Sequence, residues 1–504
     1  MLKQKFALDF VIQVFLQIIA IISGIIVARV GGPSVVGILA FGLSFASTFR
    51  FISDPGLEVA HIKLISAGED LGKCNSTFTI MKIVSTGLFL FFTFAIFLSQ
   101  KYLFSFNFES KTQEYVLLIF ILIVALSSLS QIPIMTFTAR MEITKKNIPI
   151  LLQGLGENIA KVILIILGFR ALAISLSSLS VSIVGGIFLI FLFKNYPFSI
   201  FDKELAKKYL KITFPILGIV IISIIIANID KVILQFLTSS EELGYYVAGY
   251  KISFFIMLIG ISFGNLFFPL ASGYIGNKNY LGIKDKINSF EKFVYLFVMP
   301  MVIFMAIYSP VIVKVFLGNK YMPSVNILSI MTIAAFILLI TQPYRTILFS
   351  GGFFKESTLL NLYGLIIFII MEYIFVSQRY LNLGALGAAL AAFTLNIFLF
   401  IIFKASTIKK IPQLKMQSNL EYMGYGIANF IIFYFTYTYF SIHSGNIFKF
   451  MFPLCYFSIT YISLYLCRLL KKSDFLALKD FINIKAMSNY VKDEFFDSKT
   501  VSLG

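Results

Sequence analysis

An all-α polytopic membrane protein is the fold class that this sequence predicts, and three observations predict it. Of the 504 residues, 59% are apolar and only 13% are charged. The apolar residues gather into fourteen runs of span length, and the basic residues gather into alternate loops between them. A soluble domain carries about 45–50% apolar and about 25% charged residues. A chain with a mean hydropathy of +0.90 cannot hide that much apolar surface in a water-soluble core, so lipid is its solvent. That balance excludes a cytosolic enzyme, a secreted domain and a fibrous protein.

The runs lie at 8–28, 35–53, 79–98, 116–138, 148–168, 172–193, 213–236, 244–269, 292–309, 324–341, 358–376, 383–403, 421–440 and 448–467. Each approaches the roughly 17–25 residues that cross about 30 Å of hydrocarbon. The first is too long for the apolar region of a cleaved signal peptide. Gln153, Glu157 and Lys161 interrupt the fifth. The twelfth is built from small residues, Gly384-Ala385-Leu386-Gly387-Ala388-Ala389, and the eighth holds Gly260-x-x-x-Gly264. Both patterns let helices pack closely. With 58 Phe, 25 Tyr and no Trp, any aromatic belt at the headgroups is made of Tyr and Phe.

With charges near the ends of runs counted in the adjoining loop, the N-terminus and every second loop after it carry 31 of the 42 Lys and Arg. The intervening loops carry 9, and Lys161 and Lys251, away from the run ends, are the remaining two. Cytoplasmic loops collect basic residues, so both termini are expected in the cytoplasm of a cell membrane, with an even number of spans. This asymmetry accounts for the net charge of +18 without a nucleic-acid partner. The three cysteines and two histidines have no paired or metal-ligand spacing, so neither a metal nor another cofactor is expected.

The basic stretch Lys194–Lys211 places Lys203, Lys207 and Lys211 on one helical face and reads as a cytoplasmic amphipathic helix. The sequence echoes itself on either side. ARVGGPSVVGILAFGLSF follows the first run and QFLTSSEELGYYVAGYKISF follows the seventh, so that Gly37 aligns with Gly244. Two parallel six-helix halves would leave such a trace. The organisation expected is a lobe at 1–194, a linker at 195–211, a second lobe at 212–404, two further helices at 405–467 and a basic cytoplasmic tail at 468–504.

Arg29-Val-Gly-Gly32-Pro33-x-x-x-Gly37 resembles the turn between the first two helices of polysaccharide flippases, members of the multidrug/oligosaccharidyl-lipid/polysaccharide exporter superfamily. Asn228-Ile-Asp230-Lys231 with Leu243-Gly244-Tyr245-Tyr246 resembles the segment that opens their second half. Val313–Tyr321 resembles their loop between the ninth and tenth helices. The resemblance covers roughly residues 5–470. It implies two six-helix lobes around a central cavity that opens to one side at a time, and lipid-pyrophosphate-linked sugars as substrates. Fourteen runs rather than twelve separate the chain from the drug-exporting branch.

No phosphate-binding loop is present, because Gly351-Gly352-Phe353-Phe354-Lys355 lacks both the spacing and the hydroxyl. No protease, hydrolase or paired-carboxylate motif stands out, so a transporter rather than an enzyme is expected. Charges inside spans are then the functional candidates, since each is costly unless it faces a cavity or a partner. Lys251 has no acid one turn away and reads as a cation for a pyrophosphate, against a lysine that snorkels or pairs with Asp230. Arg50 and Asp54 are four residues apart and read equally as a helix-end pair or a headgroup site. Glu157 and Lys161 read first as a self-neutralising pair. Asp230 and Lys231, being adjacent, are expected to point apart, which leaves Asp230 as a proton site. Arg345 and Arg140 read as loop decoration before site. Arg29 belongs to the turn and is a minor candidate. Gln13 and Gln17 form a polar stripe that is read as cavity lining.

The function that fits best is a flippase, a monomer surrounded by membrane lipid, that moves a polyprenyl-(pyro)phosphate-linked oligosaccharide by alternating access. A coupling cation, H+ or Na+, is the expected partner. A cation-coupled multidrug exporter is the alternative, and the intramembrane charges do not decide, with Lys161, Lys231 and Lys251 against Glu157, Asp230 and Glu372. A membrane glycosyltransferase or polymerase fits less well, because the longest outer loop is only about Ser99–Tyr115.

Overall fold

The computed structural model describes residues 2–102, 108–414, 420–443, 446–467 and 469–470. The basic tail expected at 468–504 therefore falls almost wholly outside the described residues. Eighteen α-helices and no strand are present among those residues. The first eight are α1 (Leu2–Gly31), α2 (Pro33–Thr48), α3 (Arg50–Ser53), α4 (Leu57–Ser66), α5 (Leu71–Tyr102), α6 (Lys111–Ala139), α7 (Ile143–Ile166) and α8 (Ala171–Phe193). Then come α9 (Lys203–Leu237), α10 (Ser240–Gly276), α11 (Tyr280–Phe293), α12 (Met299–Ile307), α13 (Ser309–Phe316) and α14 (Ser324–Ser350). The last four are α15 (Phe354–Val376), α16 (Gly384–Lys410), α17 (Leu420–His443) and α18 (Asn446–Leu466). Eleven helices are long and apolar enough to cross a membrane, and a bent pair from Pro33 to Ser66 makes a twelfth. The thirteenth and fourteenth apolar runs fall on α17 and α18.

The second span breaks where Pro55 removes a backbone donor and Gly56 takes a left-handed φ of 106°, which glycine adopts at no steric cost. The chain resumes as α4, so part of what reads as the loop after the second span is helix. The basic stretch Lys194–Lys211 also differs from expectation. From Lys203 onward it forms the first turns of α9, with no separate surface helix. Asp202 starts that helix by accepting the N–H groups of Glu204 at 2.9 Å and Leu205 at 3.1 Å. The Leu205 N–H, and after it the Lys73 ammonium, hold the Asp202 carboxyl below its usual range.

The helices cluster into two compact units. One comprises α1 as far as Val27 together with Phe49–Leu217, and the other comprises Ala28–Thr48 with Gly218–Leu470. The core of the first gathers Leu64, Cys74, Phe78, Phe137 and Tyr209 around His61. That ring stacks on Phe78 at 4.0 Å and hydrogen-bonds Tyr209 at 2.6 Å and Thr136 at 2.9 Å. The second unit packs α10 against α14 and α2. Gly260 and Gly387 act there as packing glycines, since an added Cβ would stand 2.9 Å from Leu339 Cδ1 and 2.6 Å from the Phe375 carbonyl oxygen.

The tightest approach in the second unit is reciprocal. A Cβ on Gly37 of α2 would overlap the Ser240 carbonyl, and a Cβ on Gly244 of α10 would overlap the Pro33 carbonyl. Pro33 and Ser240 stand in the same register as Gly37 and Gly244, so the two contacts are copies of one another. The same region ties in the third family-like segment. Arg29 Nη1 donates to the Val315 carbonyl at 2.7 Å, Ser324 Oγ donates to the Tyr245 carbonyl at 2.9 Å, and Tyr245 meets Tyr321 edge to face. Arg29 thus has a structural partner.

Gly37→Ala and Gly244→Ala each force a methyl group onto a carbonyl. Each should lower the thermal midpoint in detergent, at an overpacking cost of about 1–3 kcal/mol. Gly273→Ala, where an added Cβ meets nothing within 4 Å, should not. A Gly37→Ala protein as stable as the wild type would refute the close crossing.

Candidate functional site

Two clusters of buried charge lie at membrane depth, one in each unit. In the first unit the break after α3 frees backbone carbonyls that a continuous helix would have used. Lys82 of α5, fully buried, answers them. Its ammonium donates to the Ser53 carbonyl at 3.3 Å, to Ser128 Oγ at 3.2 Å, to Glu58 Oε1 at 3.2 Å and to Asp54 Oδ1. Arg50 Nε reaches the other Asp54 oxygen at 2.7 Å, and its side chain stays 40% exposed. Ser85 Oγ also donates to the Ser53 carbonyl, at 3.1 Å. Two cations and two acids therefore neutralise one another across the break. The Arg50–Asp54 pair was legible in the sequence, whereas nothing local singles out Lys82, four residues into the third run. Because α5 starts at Leu71, Lys82 actually sits about 17 Å along it.

In the second unit Asp230 and Lys231 of α9 correct an expectation. They do not point apart. The Lys231 ammonium lies 2.9 Å from Asp230 Oδ1, and both residues are buried. A lysine stem is long and flexible enough to curl back along its own helix, and the same ammonium donates to the Ala227 carbonyl at 3.1 Å. Tyr246 of α10 donates its hydroxyl to Asp230 Oδ2 at 2.7 Å, and the Tyr250 ring lies 4.8 Å from the ammonium. Glu372 of α15 completes the group. It is fully buried, both Asp230 and Lys231 act on it electrostatically, and neither carboxylate oxygen has a hydrogen-bond partner among the described residues.

The other candidates are dispersed. Glu157 and Lys161 pair at 2.6 Å on α7 with both side chains partly exposed. Arg345 of α14 donates to Asn361 Oδ1 at 3.1 Å and lies over the Phe403 ring at 5.0 Å, and its Nε has no hydrogen-bond partner among the described residues. Arg140 pairs with Glu142 at 2.8 Å. Burial works to raise the Glu142 carboxyl pKa, but donation by Tyr196, Arg140 and Lys145 outweighs it and holds the group below its usual range. On α1, Gln13 is exposed and Gln17 half-buried, and neither meets the charged candidates among the described residues. Lys251 presents an exposed side chain on α10.

Span-length apolar helices that carry buried charges define a polytopic membrane protein, and solved structures place its fold. A lipid II flippase MurJ in an inward closed conformation matches with a TM-score of 0.72 at 18% identity, over 92% of this chain and 99% of that one. An inward-facing multidrug resistance MATE family transporter of the MOP superfamily matches with a TM-score of 0.63 at 15% identity, over 79% and 95%. A MOP superfamily transporter from Pyrococcus furiosus, described by the reverse polarity of its binding pocket, matches with a TM-score of 0.52 at 15% identity, over 81% and 94%. The chain shares the fold of these solved structures. By its sequence, matched over residues 6–326, the chain belongs to the polysaccharide biosynthesis protein family. No curated protein matches it in sequence.

Lys82→Met leaves Asp54 and Glu58 without their buried ammonium. Breaking a buried pair this way costs about 3–5 kcal/mol, read as a lost thermal midpoint and folded yield in detergent. Adding Asp54→Asn to Lys82→Met should restore part of both. Equal stability of Lys82→Met and the wild type would show that the ammonium does not hold the break.

Proposed function

We propose that this protein is a flippase that carries a polyprenyl-(pyro)phosphate-linked oligosaccharide across the cytoplasmic membrane. The observation that carries the reading is the extent of the likeness. The match to the lipid II flippase spans 92% of this chain, while those to the MATE family transporter and to the Pyrococcus furiosus MOP superfamily transporter span about four-fifths of it. Membership of the polysaccharide biosynthesis family points the same way. The chemistry is consistent with it. A pyrophosphate needs cations that a ligand can reach, and Lys251 and Arg50 are cations at membrane depth whose side chains are not enclosed by protein. The Asp230–Lys231–Glu372 group supplies acids for a coupling cation, H+ or Na+. Six-helix repeats rocking between two states would then give alternating access. The likeness to MATE transporters favours a second reading, a cation-coupled multidrug exporter.

Both termini and the 195–211 segment are assigned to the cytoplasm. In a cysteine-free background, a membrane-impermeant thiol reagent outside intact cells should miss Lys203→Cys and label Asn107→Cys, a position outside the described residues. Labelling at 203 would overturn the orientation.

Lys251→Ala should abolish translocation of lipid-linked sugar while the protein remains inserted and folded, and Lys251→Arg should keep part of the activity. Normal transport by Lys251→Ala would remove it from the site. Wild-type protein that expels a cationic dye and leaves lipid-linked sugar in place would favour the exporter.

A further inference from the structure

Within the first unit α1, α6, α7 and α8 line a half-open cavity of about 410 Å³. Its polar wall is made by Ser127, Ser130 and Gln131 of α6, Gln153 and Glu157 of α7, and Ser182 of α8. Lys146, in the first turn of α7, marks the end nearest the membrane surface. Gln153 and Glu157 lie about 10 Å and about 16 Å further along that helix, so the wall extends well into the span.

Ser130 Oγ donates to the Leu126 carbonyl at 2.9 Å, but others of these groups are poised rather than spent. The side chains of Ser127 and Gln131 make no hydrogen bond among the described residues. Gln153 reaches Ser182 Oγ only at 3.5 Å, and its amide occupies space that a side chain at Gly185 would fill, 2.8 Å from that Cβ position. Polar groups at membrane depth are costly unless they face protein partners, water or a ligand. The charge balance narrows the ligand. Glu157 is neutralised by Lys161 at 2.6 Å, so no bare acid is left for a cationic drug. Lys146 is the single cation of the wall, too few for a diphosphate. Hydroxyls and carboxamides that both donate and accept match a polyol, whose own hydroxyls do the same. The volume is at the small end of the usual range for ligand pockets, about 300–1,000 Å³, which suits a sugar or two and not a polyprenyl chain. A second crevice, of about 570 Å³ between α5 and α6, is lined only by residues such as Leu90, Phe91 and Ile121, and suits an acyl chain instead.

We infer that the cavity among α1, α6, α7 and α8 is the subsite for the neutral sugar portion of the substrate, with the adjoining phosphate towards Lys146. The inference rests on the flippase reading. It is tested on the full chain in lipid nanodiscs. The probes are farnesyl diphosphate and a panel of farnesyl diphosphates that each carry one hexose or N-acetylhexosamine. Wild-type protein should bind at least one glycosylated probe tenfold or more tighter than the bare diphosphate, equivalent to about 1.4 kcal/mol. In Gln131→Leu, and in the milder Ser127→Ala/Ser182→Ala, that ratio should fall towards one. Variants that are folded and keep the ratio, or a wild type that binds all diphosphates alike, would overturn the subsite and leave the flippase reading standing. A wild type that binds none of the probes would overturn both.

Discussion

The second unit depends on two missing side chains. At Gly37 and Gly244 the backbones of α2 and α10 approach until each Cα faces the other helix's carbonyl. No L-residue with a Cβ fits there without displacing a helix. Around that crossing Arg29 bonds the Val315 carbonyl, Ser324 bonds the Tyr245 carbonyl and Tyr321 packs on Tyr245. Three stretches far apart in the chain become one packing centre. Their family-like character has a physical source in that centre, since the turn, the repeat start and the later loop constrain one another's shape.

Much of the fold was legible because lipid imposes coarse rules. Span length and the 207-residue echo between Gly37 and Gly244 need only one-dimensional reading, and each apolar run falls on a helix. Sequence separation hid most of the site. Nothing local to Lys82 announces that Asp54, Glu58 and Ser128 converge on it from a broken helix and a third span. Asp230 and Lys231 failed for the opposite reason. Adjacency fixes where two Cβ atoms point, but a four-carbon stem can return its ammonium to the neighbouring carboxylate. Glu372 was visible as an intramembrane acid, yet its burial beside that pair is a matter of tertiary packing. The continuity of α9 was hidden because the composition changes from basic to apolar at Lys211 and Pro215 follows, yet the helix runs on through that proline.

The two charge clusters solve the same energetic problem at different range. In the second unit the neutralising partner is the next residue. In the first unit it comes from another span, through a break whose loose carbonyls are themselves satisfied by the buried ammonium. Charge and backbone irregularity are tolerated at membrane depth where protein encloses them, and Lys82, Asp54, Asp230, Lys231 and Glu372 are all buried.

The difference in range has a consequence for biogenesis. A lone lysine at the centre of an inserting helix costs about 2.5–3.5 kcal/mol, and α5 carries one. Its acids, Asp54 and Glu58, precede Lys82 in the chain and leave the ribosome first, so the counter-charge is already at hand when α5 is delivered to the bilayer. The elementary insertion step for this stretch is therefore a helical hairpin, from the bent second span through α5, with the ammonium handed to its partners as it partitions. The Asp230–Lys231 pair carries its own compensation and lets α9 enter the membrane alone.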